Sequence, residues 1–301
     1  MNITAVTIIH MDIIIMAHNE LEPRCRLCLK NSWLATLDKH KVSSQLKDSF
    51  LSEFDHIMRT ESTKGAPELQ RQLAHLFSRI TAIEDPFSDQ KNESNKLALK
   101  LYNEWKPIVE SSADPFDKAL RLTLAANIMD YGAASSFNVY QTIEKVFQTE
   151  LAINDCLLLK DEIEKADNIL YLGDNAGEQF FDKLFIETID HKDVTYAVRG
   201  GYALNDATIV DAHLAKINEV ANVISNGYDA PSTILEKCSS EFISAFEKAD
   251  LIISKGMGNL EGLMKLKDDR IFFLLMAKCD VIADYLSVEK GSFVVARNRY
   301  S

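Results

Sequence analysis

With 301 residues the chain can bury a substantial core as one large domain or two modest ones. Its 47% hydrophobic and 26% charged residues are those of an ordinary soluble globular protein, and a formal charge of −12 without clustered Lys and Arg excludes a general nucleic-acid binder. Five cysteines, of which only Cys25 and Cys28 are closely spaced, suit a reducing cytoplasm better than a disulfide framework.

The opening "MNITAVTIIHMDIIIMAHNE" is apolar, but it has no basic leader, is broken by His10 and Asp12, and is too short to span a bilayer. Neither a signal peptide nor a membrane anchor is expected. Met11 and Met16 offer later starts, so residues 1–19 read as a disordered extension or a misassigned start. From 20 to 165 the pattern is helical: "SWLATLDKH", "SFLSEFDHIMR", "LQRQLAHLFSRI", "NKLALKLYNEWKPIVE" and "KALRLTLAANIMDYG" repeat apolar residues at three- and four-residue spacing. Pro86 and Pro115, each among acidic residues, mark helix starts. From 166 to 301 short apolar runs alternate with helical segments: "NILYL", "VTYAV", "ANVIS", "LIIS", "IFFLL" and "SFVVA". Such runs fit buried parallel strands, so the pattern predicts an α/β sheet flanked by helices, with the helical region packed on it.

Ligands of an open parallel sheet sit beyond the carboxyl ends of its strands, and the polar clusters of this chain fall there. "NILYL" runs into Gly173-Asp174-Asn175-Ala176-Gly177-Glu178, and "VTYAV" into Arg199-Gly200-Gly201 with Asn205-Asp206-Ala207-Thr208 behind. "ANVIS" is followed by Asn226-Gly227 and Pro231-Ser232-Thr233, and "LIIS" by Lys255-Gly256-Met257-Gly258-Asn259. Taken singly each has a plain reading: Asp174 shapes a turn, and Asp206 with Thr208 caps the helix "ATIVDAHLAKI". Lys255 beside two glycines resembles a phosphate cradle without the spacing of a Walker loop. Taken together, the clusters offer hard oxygen donors from Asp174, Asn175 and Asp206, the kind of ligand a magnesium- or manganese-type ion takes. Arg199 and Lys255 can offset phosphoryl charge, and glycine amides at helix starts add donors. This is the chemistry of phosphoryl transfer or phosphate hydrolysis.

The ordered motifs "GDNAGE", "RGG…NDAT", "SNG…PST", "SKGMGN" and "MAKCDVIADYLSVEKGSFVV" resemble the metal-dependent damage-control phosphatases, long catalogued as domain of unknown function eighty-nine. "CRLC", "DPFSDQKNESNKLALKL" and "DPFDKALRLTLAANIMDYG" occur in the order of the archaeal and bacterial branch, so the resemblance runs from about Arg24 to Arg297. It implies a helical N-terminal region on a Rossmann-like α/β/α sandwich, and hydrolysis of phosphate esters of small metabolites, sugar phosphates or damaged phosphometabolites among them, with a divalent cation such as Mn, Mg, Co or Ni. It places Asp174, Asn175 and Asp206 as metal ligands and catalytic residues, with Lys255 beside them. Glu178, Arg199, Gly256 and Asn259 fall near the substrate. Asn127 and Asp130 match a pattern usually written Gly-Asn-x-Ile-Asp, from which Ala126 and Met129 depart, and they join the substrate set; their other reading is as helix-end stabilisers.

The attacking group is a metal-oriented water or Asp174 itself, although the Asp-x-Asp of aspartyl-phosphate phosphatases is missing. Cys25 and Cys28 form a lone CxxC, which reads as a buried thiol pair rather than a four-ligand zinc site. Phe180, Phe181, Phe185, Phe272 and Phe273 read as core. Two rival functions remain at this level: an adenosylmethionine-dependent methyltransferase, from the strand and turn "ILYLGDNAGE", and a phosphometabolite-binding protein without catalysis. The expected partner is a small phosphorylated metabolite, not a nucleic acid or a membrane, and the oligomeric state is open.

Overall fold

The computed structural model of the chain describes residues 21–127 and 136–299, which divide into two compact units between Pro86 and Phe87. The first unit holds α1 (Pro23–Lys39), α2 (Ser44–Thr60) and α3 (Ala66–Thr81). Their starts are marked chemically: α1 and α3 carry proline in the first turn, and the Ser43 side chain accepts the Leu46 N–H at the head of α2. The apolar stripes meet at Trp33, whose ring lies 5.9 Å from Phe50 and 5.5 Å from Phe77 and whose indole N–H donates to Gln70 at 3.2 Å. Cys25 and Cys28 lie on α1, but Cys28 is exposed and Cys25 half-buried, so they are not a buried pair; the face of α1 that is buried carries Leu29, Trp33, Thr36 and Leu37 instead.

The second unit opens with three helices, α4 (Ser88–Glu110), α5 (Pro115–Ala126) and α6 (Ser136–Gln148). Pro115 stands in the first turn of α5, and Asp114 caps it by accepting the Asp117 N–H. A two-residue strand, β1 (Ile153–Asn154), and α7 (Cys156–Lys165) lead into β2 (Ile169–Leu172). The remaining order is α8 (Gln179–Ile189), β3 (Val194–Val198), α9 (Ile209–Leu214), β4 (Asn222–Ser225), α10 (Ser240–Lys248), β5 (Leu251–Lys255), α11 (Gly256–Leu263), β6 (Ile271–Met276), α12 (Asp280–Leu286) and β7 (Phe293–Arg297).

The seven strands form one sheet in the order β1-β7-β6-β5-β2-β3-β4. Strand faces alternate between two cores. Ile169 and Tyr171 of β2 face α4 to α8, with Leu120, Leu124, Phe181 and Phe185, whereas Leu170 and Leu172 face α10 to α12, with Phe242, Leu260, Leu263 and Leu286. Both faces are therefore covered, which is why these strands read as unbroken apolar runs. The chain leaves β2 for β3 and β4, then returns to β5 on the other side of β2, and the crevice beyond the β2 and β5 ends is where such sheets bind ligands.

One strand differs from the sequence pattern. "SFVVA" becomes β7, which runs antiparallel to β6 rather than parallel. Ala277 N–H donates to Ser292 O and Gly291 N–H donates to Ala277 O, so the chain leaving β6 is paired with the chain entering β7 and doubles back along it. Among the described residues no helix is long and apolar enough to cross a membrane.

Phe185 on α8 is fully buried with its ring 5.5 Å from Phe116 of α5. Phe185→Ala should cost about 3–5 kcal/mol in denaturant unfolding, because the rigid layer around it cannot close the cavity; a loss under about 1 kcal/mol would mean that α5 and α8 are not packed as described.

Candidate active site

The loops after β2 and β3 are zipped together by backbone. Ala207 N–H donates to Asp174 O (2.8 Å), Ala176 N–H to Asn205 O (2.8 Å) and Arg199 N–H to Ala207 O (3.1 Å), and Asn175 and Asp206 form an antiparallel bridge. This pairing sets Asp174, Asn175 and Asp206 side by side although two elements separate them in sequence. Asp206 is not the cap of α9: Thr208 takes that place in a capping box with Asp211, which leaves the Asp206 carboxylate to the site.

Asp174, Glu178 and Asp206 are buried, and Asn175 is half-buried. Asp174 Oδ2 accepts from Asn127 Nδ2 and Asn175 Nδ2, both at 3.0 Å. The same two carboxamides donate to Glu178 Oε1, at 3.0 Å from Asn127 and 2.7 Å from Asn175. Arg199 is buried between the two aspartates, with Nε donating to Asp206 Oδ2 at 2.6 Å and Nη2 lying 3.7 Å from Asp174 Oδ1. Its Nη1 donates to Asn259 Oδ1 (2.8 Å), while Nη2 has no hydrogen-bond acceptor among the described residues. An orphaned buried guanidinium N–H marks a place for an added acceptor.

Lys255 does not line an open cradle. It is wholly buried, and its Nζ donates to Glu178 Oε2 (3.0 Å) and Asp182 Oδ1 (2.9 Å). The Asp182 carboxylate also accepts from the Tyr171 and Tyr196 hydroxyls, each at 2.7 Å. Sequence reasoning passes over these three partners. The available signal is Asp182 itself, an acid in "QFFDKLF", a stretch of α8 whose every residue is buried.

Burial pushes the Asp174 carboxyl up to about 8, with the Glu178 and Asp206 charges adding to it. Burial also raises Asp206 and Asp182, against the pull of Arg199 and Lys255. Burial acts upward on Glu178 too, but the charges of Lys255 and Lys278 and the bonds from Asn175 and Lys255 outweigh it and hold that group low. Lys255 is kept charged because Asp182 and Glu178 more than offset its desolvation.

Of the residues expected near a substrate, Asn127, Glu178 and Asn259 turn inward. Asn127 Oδ1 accepts the Met276 N–H at 3.4 Å, which fixes its Nδ2 toward the carboxylates, and Asn259 Nδ2 bonds the Gly173 and Lys255 carbonyls at 3.1 and 2.8 Å. Their side chains are spent on Asp174, Arg199, Lys255 and backbone groups instead of reaching into open space. Asp130 lies outside the described residues. Gly256 opens α11 at φ +76°, and a Cβ there would sit 1.9 Å from Asp174 Oδ2. The glycine thus lets α11 close on the acid.

Among the described residues no three His, Cys, Asp or Glu side chains form a metal cluster, and the expected ligand set holds two such acids with the Asn175 carboxamide. The donor chemistry fits a hard divalent cation, because Asp174 and Asp206 are buried oxygen donors on either side of the Arg199 guanidinium.

Residues 21–294 match the damage-control phosphatase ARMT1-like domain. The chain belongs to the damage-control phosphatase family. It is similar to a damage-control phosphatase of Pyrococcus horikoshii, 38% identical over 93% of this chain and 99% of the relative, and to one of Archaeoglobus fulgidus, 36% identical over 91% and 98%. An uncharacterised protein of Methanocaldococcus jannaschii is 32% identical over 95% and 99%. The crystal structure of a Pyrococcus horikoshii protein of the same family matches with a TM-score of 0.85 at 30% identity, over 94% of this chain and all of that one.

Asp182→Ala would leave Lys255 buried with half its counter-charge. Such losses cost about 3–5 kcal/mol, and denaturant unfolding of the variant should show it. A change within about 0.5 kcal/mol would mean that the Lys255 ammonium is solvated. Gly256→Ala should leave far-UV circular dichroism unchanged while lowering phosphate release at least about tenfold, since the Asp174 carboxylate must move. Full activity in that variant would contradict the tight approach of α11.

Proposed function

We propose that this chain is a metal-dependent phosphatase of the cytoplasm that hydrolyses phosphate esters of small metabolites, sugar phosphates or damaged phosphometabolites, with a divalent cation at Asp174, Asn175 and Asp206. The observation that carries the reading is the backbone pairing of the β2 and β3 loops, which sets two buried carboxylates on either side of one arginine. A cation bound there, manganese, magnesium, cobalt or nickel, would polarise the phosphoryl oxygen and orient the nucleophile.

The chain's own residues do the rest. Asn127 and Asn175 hold the Asp174 carboxylate in one orientation through Oδ2, leaving Oδ1 for a ligand. Asn259 and Asp206 fix Arg199 on two sides, so that Nη2, the N–H without an acceptor, is aimed at a phosphoryl oxygen and stabilises the charge that grows there in the transition state. Lys255 contributes one step back: it keeps Glu178 charged and oriented, and Glu178 in turn receives the two carboxamides that steer Asp174. Family membership favours hydrolysis over the methyltransferase and the binding protein, and Arg199 offers a donor suited to phosphate that methyl transfer does not use.

The test is phosphate release from sugar phosphates and nucleotides by metal-stripped protein, with and without each of the four cations. Release only on addition of a cation, abolished in Asp174→Ala, is the expected result. Equal release by the stripped protein, or by the variant, would refute the metal assignment.

A further inference from the structure

The loop from β3 to α9 holds one residue that the ligand set leaves unused. Arg199 opens the loop, Asp206 lies toward its far end, and Tyr202 between them has 51% of its surface exposed. The backbone around it is pinned. Arg199 N–H donates to Ala207 O at 3.1 Å, Gly200 N–H to Tyr228 O at 2.9 Å and Asp206 N–H to Ala203 O at 3.0 Å. A Cβ on Gly200 would fall 2.4 Å from the Tyr228 nitrogen, so this loop lies directly against the one that follows β4. Leu204 sits in the left-handed region at φ +54°, a conformation that a residue with a side chain keeps only where its surroundings impose it. Ala203 is buried, and Tyr202 beside it is turned outward.

The Tyr202 ring is anchored from one side. Lys91 of α4 is buried, and its Nζ lies over the ring, 4.8 Å from the centroid. The charge of the same lysine reaches the Asp206 carboxyl, where it works against the burial that raises that group. One ammonium thus connects the ring to a carboxylate of the site. With one face taken by Lys91, what the ring offers to solvent is its other face and its edge. The tyrosines of β2 and β3 are used differently: Tyr171 and Tyr196 stack on each other and give their hydroxyls to Asp182.

We propose that Tyr202 is the platform for the alcohol half of the phosphate ester, and that it selects alcohols presenting a ring face, a sugar ring or a base, over open chains. This rests on the phosphatase reading above. The groups gathered around Asp174 and Arg199 are polar and suit the phosphoryl end; they offer no apolar surface to the rest of the molecule. Tyr202, on the same loop as Arg199 and Asp206, supplies that surface. A ring gains by lying on an aromatic face, whereas a short open chain covers little of it. Because the loop is pinned and the ring is held by Lys91, little freedom is lost when a substrate settles there.

The experiment compares the parent protein with Tyr202→Ala and Tyr202→Phe on glucose 6-phosphate, adenosine 5′-monophosphate and glycerol 3-phosphate, each with manganese. Tyr202→Ala should raise KM about tenfold for at least one of the two ring esters, with kcat changed less and KM for glycerol 3-phosphate shifted by no more than about twofold. Tyr202→Phe should recover most of the loss. A rise that includes glucose 6-phosphate assigns the platform to a sugar ring, and a rise for adenosine 5′-monophosphate alone assigns it to a base. Unchanged KM for both ring esters, or an equal rise for all three compounds, would overturn the proposal. If the parent protein hydrolyses no ester with any cation, the phosphatase reading fails, and calorimetric binding of the same three compounds still decides Tyr202. Ring-ester binding weakened selectively in Tyr202→Ala supports it; equal binding by parent and variant, or no binding of a ring ester by the parent, refutes it.

Discussion

The ammonium of Lys255, wholly buried and bonded to both Glu178 and Asp182, is the interaction around which the site is built. Removing a lysine and two carboxylates from water is costly, and it is tolerated only because the remaining lone pairs are filled: Tyr171 and Tyr196 serve Asp182, and Asn127 and Asn175 serve Glu178. The two tyrosines stack at 5.3 Å, so the polar cluster is rooted in the sheet itself. A second charged group, Arg199 with Asp206 and Asp174, stands on that foundation. Its consequence is small: a buried guanidinium N–H without an acceptor, 3.7 Å from Asp174 Oδ1.

Rigidity around this centre comes from close backbone approach. A Cβ on Gly258 would lie 2.1 Å from Pro231 O, and one on Gly262 2.1 Å from Thr233 O, so α11 is pressed against the 231–233 segment along one edge. On the other side a buried network, Gln179 Nε2 to Asn95 Oδ1 (2.7 Å) and Asn95 Nδ2 to Asp211 Oδ1 (2.9 Å), ties α4, α8 and α9. Asp211 is also the capping partner of Thr208, which fixes the loop that delivers Asp206. The α4 and α5 helices thus do more than cover the sheet: α4 supplies Asn95 to this network, and Asn127 at the end of α5 reaches Asp174 and Glu178.

Much of this was open to reading in the sequence. Six of the seven strands stand out because they are apolar on both faces, and the acids that follow β2 and β3 stand out because they interrupt that pattern. What one sequence does not carry is direction and depth. β1 has two residues, too few for any periodicity, and β7 has the same composition whether parallel or antiparallel to β6. Lys255 looks like a phosphate ligand because it precedes glycines; that it points into the protein follows from Asp182, which lies on a helix and is brought over only by the packing of α8.

The claim that rests most heavily on this geometry is that Asp174, Asn175 and Asp206 hold one divalent cation. Calorimetric titration of metal-stripped protein with manganese, carried out on the parent chain and on Asp174→Asn, addresses it without recourse to any substrate. The arrangement predicts one ion per chain for the parent and no detectable binding in the variant, which remains folded by circular dichroism. Equal binding in the two proteins, or none in the parent, would contradict it.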